Sequence, residues 1–159
     1  MPETPETDPA RIVADADVLA ADLLVGGDAR EALDAVRSHS WLELVASDRL
    51  LDDAEAVIRE LADDDLARAW REKIETVRVP VDHPAGDHPA LASAYRGEAA
   101  HVLSYDESLR SAKAGAALGS RLNVSVKTPA GFARLFDAES LYGAVEGDEY
   151  PGPDRDPRA

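Results

Sequence analysis

The chain has 159 residues, 32 of them acidic and 17 basic, and a formal charge of −15. That length suits one domain with room for a real core. There is no Cys, which excludes a disulfide framework, a zinc-thiolate centre and a thiol nucleophile, and no apolar run is long enough to span a bilayer. Residues 1–10, MPETPETDPA, are acidic and Pro-rich. They read as a disordered leader without the basic and apolar regions of a signal peptide, so a cytoplasmic protein is expected. Residues 11–14, RIVA, form a short apolar strand. Asp15 and Asp17 follow, and then Val18, Leu19, Leu23 and Leu24 recur at helical spacing. A buried strand that opens into a helix through an acidic turn is the first unit of an α/β sheet, and ligands bind at the carboxyl ends of such strands. Either aspartate is also a good helix N-cap.

That helix stops near Gly26-Gly27, and Asp28 with Glu31 reads as a capping box for the next one. Leu42, Leu44 and Val45 form the second strand, and Ser47 caps a helix running to about Ala62. On that helix Leu50, Leu51, Ala54, Val57, Ile58 and Leu61 make one apolar stripe. Asp52 and Arg59 face solvent, while Asp53 and Glu55 sit on the two shoulders. A shoulder carboxylate can point over a sheet edge, so Asp53 and Glu55 are alternative site candidates and Asp52 is not.

Asp63, Asp64 and Asp65 break and restart the helix, and Ala67, Trp70 and Ile74 line the next. Val77, Val79 and Val81 alternate as the third strand, with Pro80 suiting an edge position. A turn-rich connection leads to Asp87, which opens a helix with Leu91 and Ala94 on its inner side. Residues 101–104 form the fourth strand, followed by Asp106 and a helix carrying Leu109 and Ala112. Leu122, Val124 and Val126 read as the fifth strand. Thr128 as N-cap and Pro129 at the first helical position start a last helix through Phe132, Leu135 and Phe136. Residues 146–159 read as a disordered acidic tail, which leaves 11–145 as the domain. Trp41 and Trp70 are expected in the core or an interface. His39, His83, His88 and His101 show no paired metal spacing and are expected at the surface or in loops. The alternation of strands and helices predicts a three-layer α/β/α sandwich around a mostly parallel sheet of about five strands.

The informative pattern is positional. Asp15 follows the first strand, Asp53 or Glu55 lies on the helix after the second, Asp87 follows the third and Asp106 the fourth. Each alone is explained as a helix cap or a solvated side chain. Their recurrence at corresponding places of a parallel sheet brings them to one edge. Carboxylates gathered there repel, and some take up protons unless a cation intervenes. Mg²⁺ or Mn²⁺ prefers oxygen ligands, keeps several waters, and is held by one or two carboxylates plus substrate phosphate.

Several segments resemble the PIN-domain family, metal-dependent nucleases that include the VapC-type toxins. IVADADVLAADLL resembles the opening motif, ending its strand in Asp15, with Asp17 where Asn is frequent. VASDRLLDDAEAVI resembles the second motif, with Asp53 in the place of the usual Glu and Glu55 as the alternative. GDHPALASAYRGEAAHVLSYDESL resembles the third, with Asp87, with Asp106, and with Ser104 for the usual Thr. VKTPAGFARLF resembles the closing strand and helix. The resemblance spans roughly residues 11–137. It implies a Mg²⁺- or Mn²⁺-dependent endoribonuclease with Asp15, Asp53, Asp87 and Asp106 as catalytic acids. Of these Asp15, Asp87 and Asp106 would be metal ligands, and Asp17, Glu55 and Ser104 supports. It also implies an RNA substrate, an antitoxin-like protein partner and a homodimer, while the lack of a long apolar run leads to an expectation of no membrane partner.

Two other readings compete. DADVL at 15–19 and HVLS at 101–104 resemble haloacid-dehalogenase-type phosphatases, in which Asp15 would be the nucleophile, Asp17 the acid/base and Lys113 or Lys127 the phosphate anchor. No later strand carries that family's final acidic pair. The third reading is a PIN-like scaffold that binds RNA or protein without cutting. The abundance of Asp and Ala, with Lys73, Lys113 and Lys127 the only lysines, resembles the proteins of salt-in extreme halophiles. In dilute salt such a charge repels nucleic acid, whereas at molar salt the Debye length is about 3 Å and the repulsion is screened.

Overall fold

The computed structural model describes residues 8–82, 89–106 and 125–155. Its first strand, β1 (Asp8–Ala14), starts inside the expected leader. Ala10, Ile12, Val13 and Ala14 are buried, the near-continuous apolar run that a strand covered on both faces requires. α1 (Ala16–Leu24) follows without a loop, because the Asp15 carboxylate accepts from the Ala16 amide and caps it. Gly26, at φ 86°, then turns the chain into α2 (Gly27–Arg37) as its N-cap. The expected capping box is therefore not formed. The helix begins one residue before Asp28, with no side-chain cap, because a glycine can adopt the positive φ that this tight turn needs.

β2 (Glu43–Ser47) leads straight into α3 (Asp48–Leu61), with the Ser47 hydroxyl accepting from the Leu50 amide at 3.1 Å. Asp63 caps α4 (Asp64–Glu75) by accepting from the Leu66 amide at 2.7 Å. β3 (Arg78–Val81), α5 (Pro89–Gly97), β4 (Ala99–Leu103), β5 (Ser125–Lys127) and α6 (Pro129–Leu135) follow in the expected order, while the helix expected around Leu109 and Ala112 and the Leu122 and Val124 part of the fifth strand lie outside the described residues. Thr128 caps α6, with Pro129 at its start. α5 lies against β1, β2 and β4. At Gly97 any Cβ would overlap the Val45 side chain, so a glycine permits that close approach.

All strand pairings are parallel, in the order β3-β2-β1-β4-β5. This is the three-layer α/β/α architecture expected from the alternation. Pro80 sits on the edge strand, where a missing amide costs no ladder bond. The order reverses between β1 and β4: successive strands are added on one side of β1 as far as β3, and β4 then returns to its other side. Among the described residues, no helix is long and apolar enough to cross a membrane.

Further features depart from the sequence reading, among them His101, expected at the surface or in a loop and found half-buried in β4. Leu61 is 70% exposed, because it is the last residue of α3 and projects beyond the packed stripe. His39 is buried rather than at the surface, with Nδ1 2.7 Å from the Ala35 carbonyl and Nε2 2.7 Å from the Tyr150 hydroxyl. An additional helix, α7 (Ala138–Glu146), is capped by Asp137, and part of the tail expected to be disordered lies against α2. There the Asp154 and Arg155 amides donate to the Ser38 carbonyl, and the Asp154 carboxylate accepts from Ser40. Trp70 is buried as expected, and Trp41 meets Tyr142 edge-on at 5.1 Å.

Candidate functional site

At the switch between β1 and β4, the two strand ends are tied together. The Asp15 amide donates to the Leu103 carbonyl at 2.8 Å, and the Ser104 amide donates to the Lys127 carbonyl at 2.9 Å. Side chains continue the tie. The Asp106 amide donates to Ser104 Oγ at 3.0 Å, and Ser104 Oγ donates to Asp15 Oδ2 at 2.8 Å. Ser104 is fully buried and Asp15 is 7% exposed, so the bond lies away from water. The Tyr105 amide donates to Asp17 Oδ2 at 3.2 Å. Ser104 thus holds Asp15 at one orientation, and the backbone of the same turn holds Asp17.

Asp15, Asp17, Asp53 and Asp106 line one cavity of about 530 Å³. Its walls are apolar: Ala20, Ala21 and Leu24 of α1 with Val57 and Leu61 of α3. Open α/β sheets bind ligands in the crevice outside the carboxyl ends of their strands at such a switch point. The carboxylates feel each other there. Burial raises the Asp17 pKa above the usual carboxylate range and the charge of Asp15 adds to this, with a smaller contribution from Asp106. Amide hydrogen bonds from Tyr105 and Val18 oppose the rise. Asp17 Oδ1 is buried and has no hydrogen-bond partner among the described residues.

The two shoulder candidates on α3 separate. Asp53 lines the cavity and pairs with Arg49 at 3.2 Å. Glu55 turns to α4, accepting from Arg59 at 2.8 Å and from Arg71 at 3.1 Å. Arg71 also bonds Asp52 and Glu75, so Glu55 belongs to an ion-pair clip between α3 and α4. Asp87 lies outside the described residues, as do His83, His88 and Lys113. Lys127 lines a different cavity, where its Nζ lies 3.2 Å from His101 Nδ1. Two participants were absent from the sequence reading. The Tyr105 amide carries no side-chain signal at all, and Arg49 could have been found from its i,i+4 spacing to Asp53.

The donors here are all hard oxygens, and one buried oxygen lacks a partner. That suits a small divalent cation that keeps most of its waters and takes one or two carboxylates. It does not suit an ion caged by protein alone: among the described residues, no group of three His, Asp or Glu side chains is placed to hold a metal ion.

The fold and this crevice define an open α/β protein with a carboxylate-lined cleft at its topological switch point. Residues 6–158 match the model of a family described as a family of unknown function, DUF7384, and the chain belongs to that family. No curated protein and no solved structure matches it.

Proposed function

We propose that the protein is a PIN-type endoribonuclease that hydrolyses RNA phosphodiesters with Mg²⁺ or Mn²⁺. The observation that carries this reading is the convergence of Asp15, Asp17, Asp53 and Asp106 on one cavity at the β1–β4 switch, from segments up to 91 residues apart in sequence, the distance from Asp15 to Asp106. In this reading Asp15 and Asp106 hold the cation, with Asp87 as a third acid supplied by the segment before α5. A bound divalent ion lowers the pKa of a coordinated water and neutralises charge on the phosphate. Ser104 keeps the Asp15 carboxylate turned into the cleft, and the Tyr105 amide does the same for Asp17. Asp53 orients the attacking water from the α3 side. Leu24 and Val57 line that side of the cleft.

The test is cleavage of a panel of RNAs in high KCl with and without Mn²⁺, comparing the natural chain with Asp106→Asn. Metal-dependent cleavage lost in the variant supports the nuclease. The absence of metal-dependent cleavage across the panel overturns it.

One observation favours a second reading, a scaffold that binds without turnover. Asp53 is held by Arg49, which reduces the negative charge left to bind a cation on that side of the cleft. Mn²⁺ binding with no cleavage at any salt concentration identifies the scaffold.

A further inference from the structure

A second cavity, of about 570 Å³, shares no residue with the carboxylate cleft. It opens between the end of α1, α2, the start of β2 and the end of α4. Leu42, Leu44, Trp70 and Ile74 give it an apolar floor. Its charged lining inverts that of the protein. In a chain with 32 acidic and 17 basic residues, this cavity is lined by Arg30, Arg37, Lys73 and Arg155 against a single acid, Asp22.

That acid is already engaged. Arg37 binds both Asp22 oxygens, at 2.7 and 2.8 Å, and reaches Asp34 at 2.7 Å. Arg30 uses Nε and Nη2 on the Asp22 and Leu23 carbonyls, at 2.8 to 3.2 Å, and is in no ion pair among the described residues. Arg155, which is exposed, is in none either. Arginine does not lose its proton in proteins, so both charges stand. Arg37 Nε is buried with no hydrogen-bond partner among the described residues, and a buried donor left unpaired is unfavourable.

We propose that this cavity binds a small organic anion, a carboxylate carried on an aliphatic or aromatic body. Arg155 can offer the two carboxylate oxygens its planar donor fork, and Arg30, whose Nε and Nη2 are taken by backbone carbonyls, adds its charge and Nη1. The apolar floor takes the body, and the volume falls in the range of about 300–1,000 Å³ common for small-molecule sites. Bare inorganic anions would leave the floor wet, and uncharged apolar molecules would give Arg30 and Arg155 no anion to pair with.

Isothermal titration of the full chain in low-salt buffer tests this with three probes: octanoate, 1-octanol and inorganic phosphate. Octanoate is expected to saturate one site, with octanol and phosphate each at least about tenfold weaker, since a charge-assisted pair and a buried chain are both needed. Arg30→Gln is expected to weaken octanoate about tenfold and Arg155→Gln several-fold. Arg30 also ties down the end of α1, so the exposed Arg155 serves as the variant that leaves the fold undisturbed, with circular dichroism as the check. Asp15→Asn is expected to bind octanoate normally, which separates this site from the nuclease reading. Equal binding of octanol or of phosphate, no octanoate binding, or unchanged affinity in both arginine variants overturns the proposal.

Discussion

The Ser104 hydroxyl donates to Asp15 Oδ2 at 2.8 Å, joining the carboxyl ends of β4 and β1 across 89 residues of chain. Both groups are shielded from water, so the bond cannot be exchanged for one to solvent. A charged acceptor deprived of its buried donor loses more than a surface group would. Ser104→Ala is therefore expected to lower the unfolding free energy by about 1–3 kcal/mol, read by urea denaturation. It also frees the Asp15 carboxylate to rotate, so Mn²⁺ affinity should fall about 10- to 100-fold, the usual cost of losing a group that orients a ligand. A variant as stable as the natural chain would show that the bond does not hold the site.

Asp15 has two tasks, as the cap of α1 and as a carboxylate in the cleft. Asparagine keeps the first, because its amide oxygen can still accept from the Ala16 amide, and removes the second. Its Nδ2 then replaces the Oδ2 that accepts from Ser104, so Asp15→Asn should cost about 1–3 kcal/mol of stability, like Ser104→Ala. Its Mn²⁺ affinity should drop by about a hundredfold or more, beyond the effect of losing a supporting group. Calorimetric titration with Mn²⁺ reads this. Natural affinity in the variant would remove Asp15 from the proposed site.

Asp53 and Glu55 should divide function from stability. Glu55 is committed to Arg59 and Arg71, and its side chain is 19% exposed. Glu55→Gln is expected to cost about 1 kcal/mol of stability and leave RNA cleavage unchanged. Asp53, half-exposed and paired among the described residues with Arg49 on its own helix, should show the reverse, with little change in stability and a clear loss of cleavage. Parallel denaturation and cleavage assays on the two variants decide. If Glu55→Gln abolishes cleavage while Asp53→Asn does not, the assignment is inverted.

Much of the architecture was legible because local signals and tertiary demands agree. RIVA is apolar without interruption and becomes a strand buried on both faces, and Ser47 and Thr128 act as the caps their positions suggest. The capping box at Asp28 failed because the glycine turn before it set the start of the helix first. The docked segment after α7 is not legible because its anchors are long-range. Tyr150 is held by His39, 111 residues away, and Asp154 by Ser40, and nothing in an acidic, Pro-rich stretch announces such partners. In the cleft, periodicity placed Asp53 and Glu55 on opposite shoulders of α3. Only the packing of α4, which brings Arg71 to Glu55, tells which one faces the cavity. The strand-end positions of Asp15 and Asp106 were readable because the sheet is parallel, so that helices start at the same edge.

His101 provides a pH test that is independent of the cleft. It is half-buried in β4, edge-on to Phe132 at 5.9 Å, with Nδ1 3.2 Å from Lys127 Nζ. Burial and then the Lys127 charge push its pKa down from 6.5 to about 4. The unfolded chain therefore binds a proton between these values that the folded chain does not. The neutral imidazole's contribution to stability is fully present above about pH 6.5 and is lost as pH falls towards 4. Because the ring is partly open to solvent, the contribution is discounted to about 1 kcal/mol. Urea denaturation at about pH 7.5 and about pH 5.5 should show the natural chain losing most of that amount, and His101→Gln, which carries no titrating ring, losing less. The same pH dependence in both proteins would mean that His101 stays exposed enough to titrate normally in the folded state.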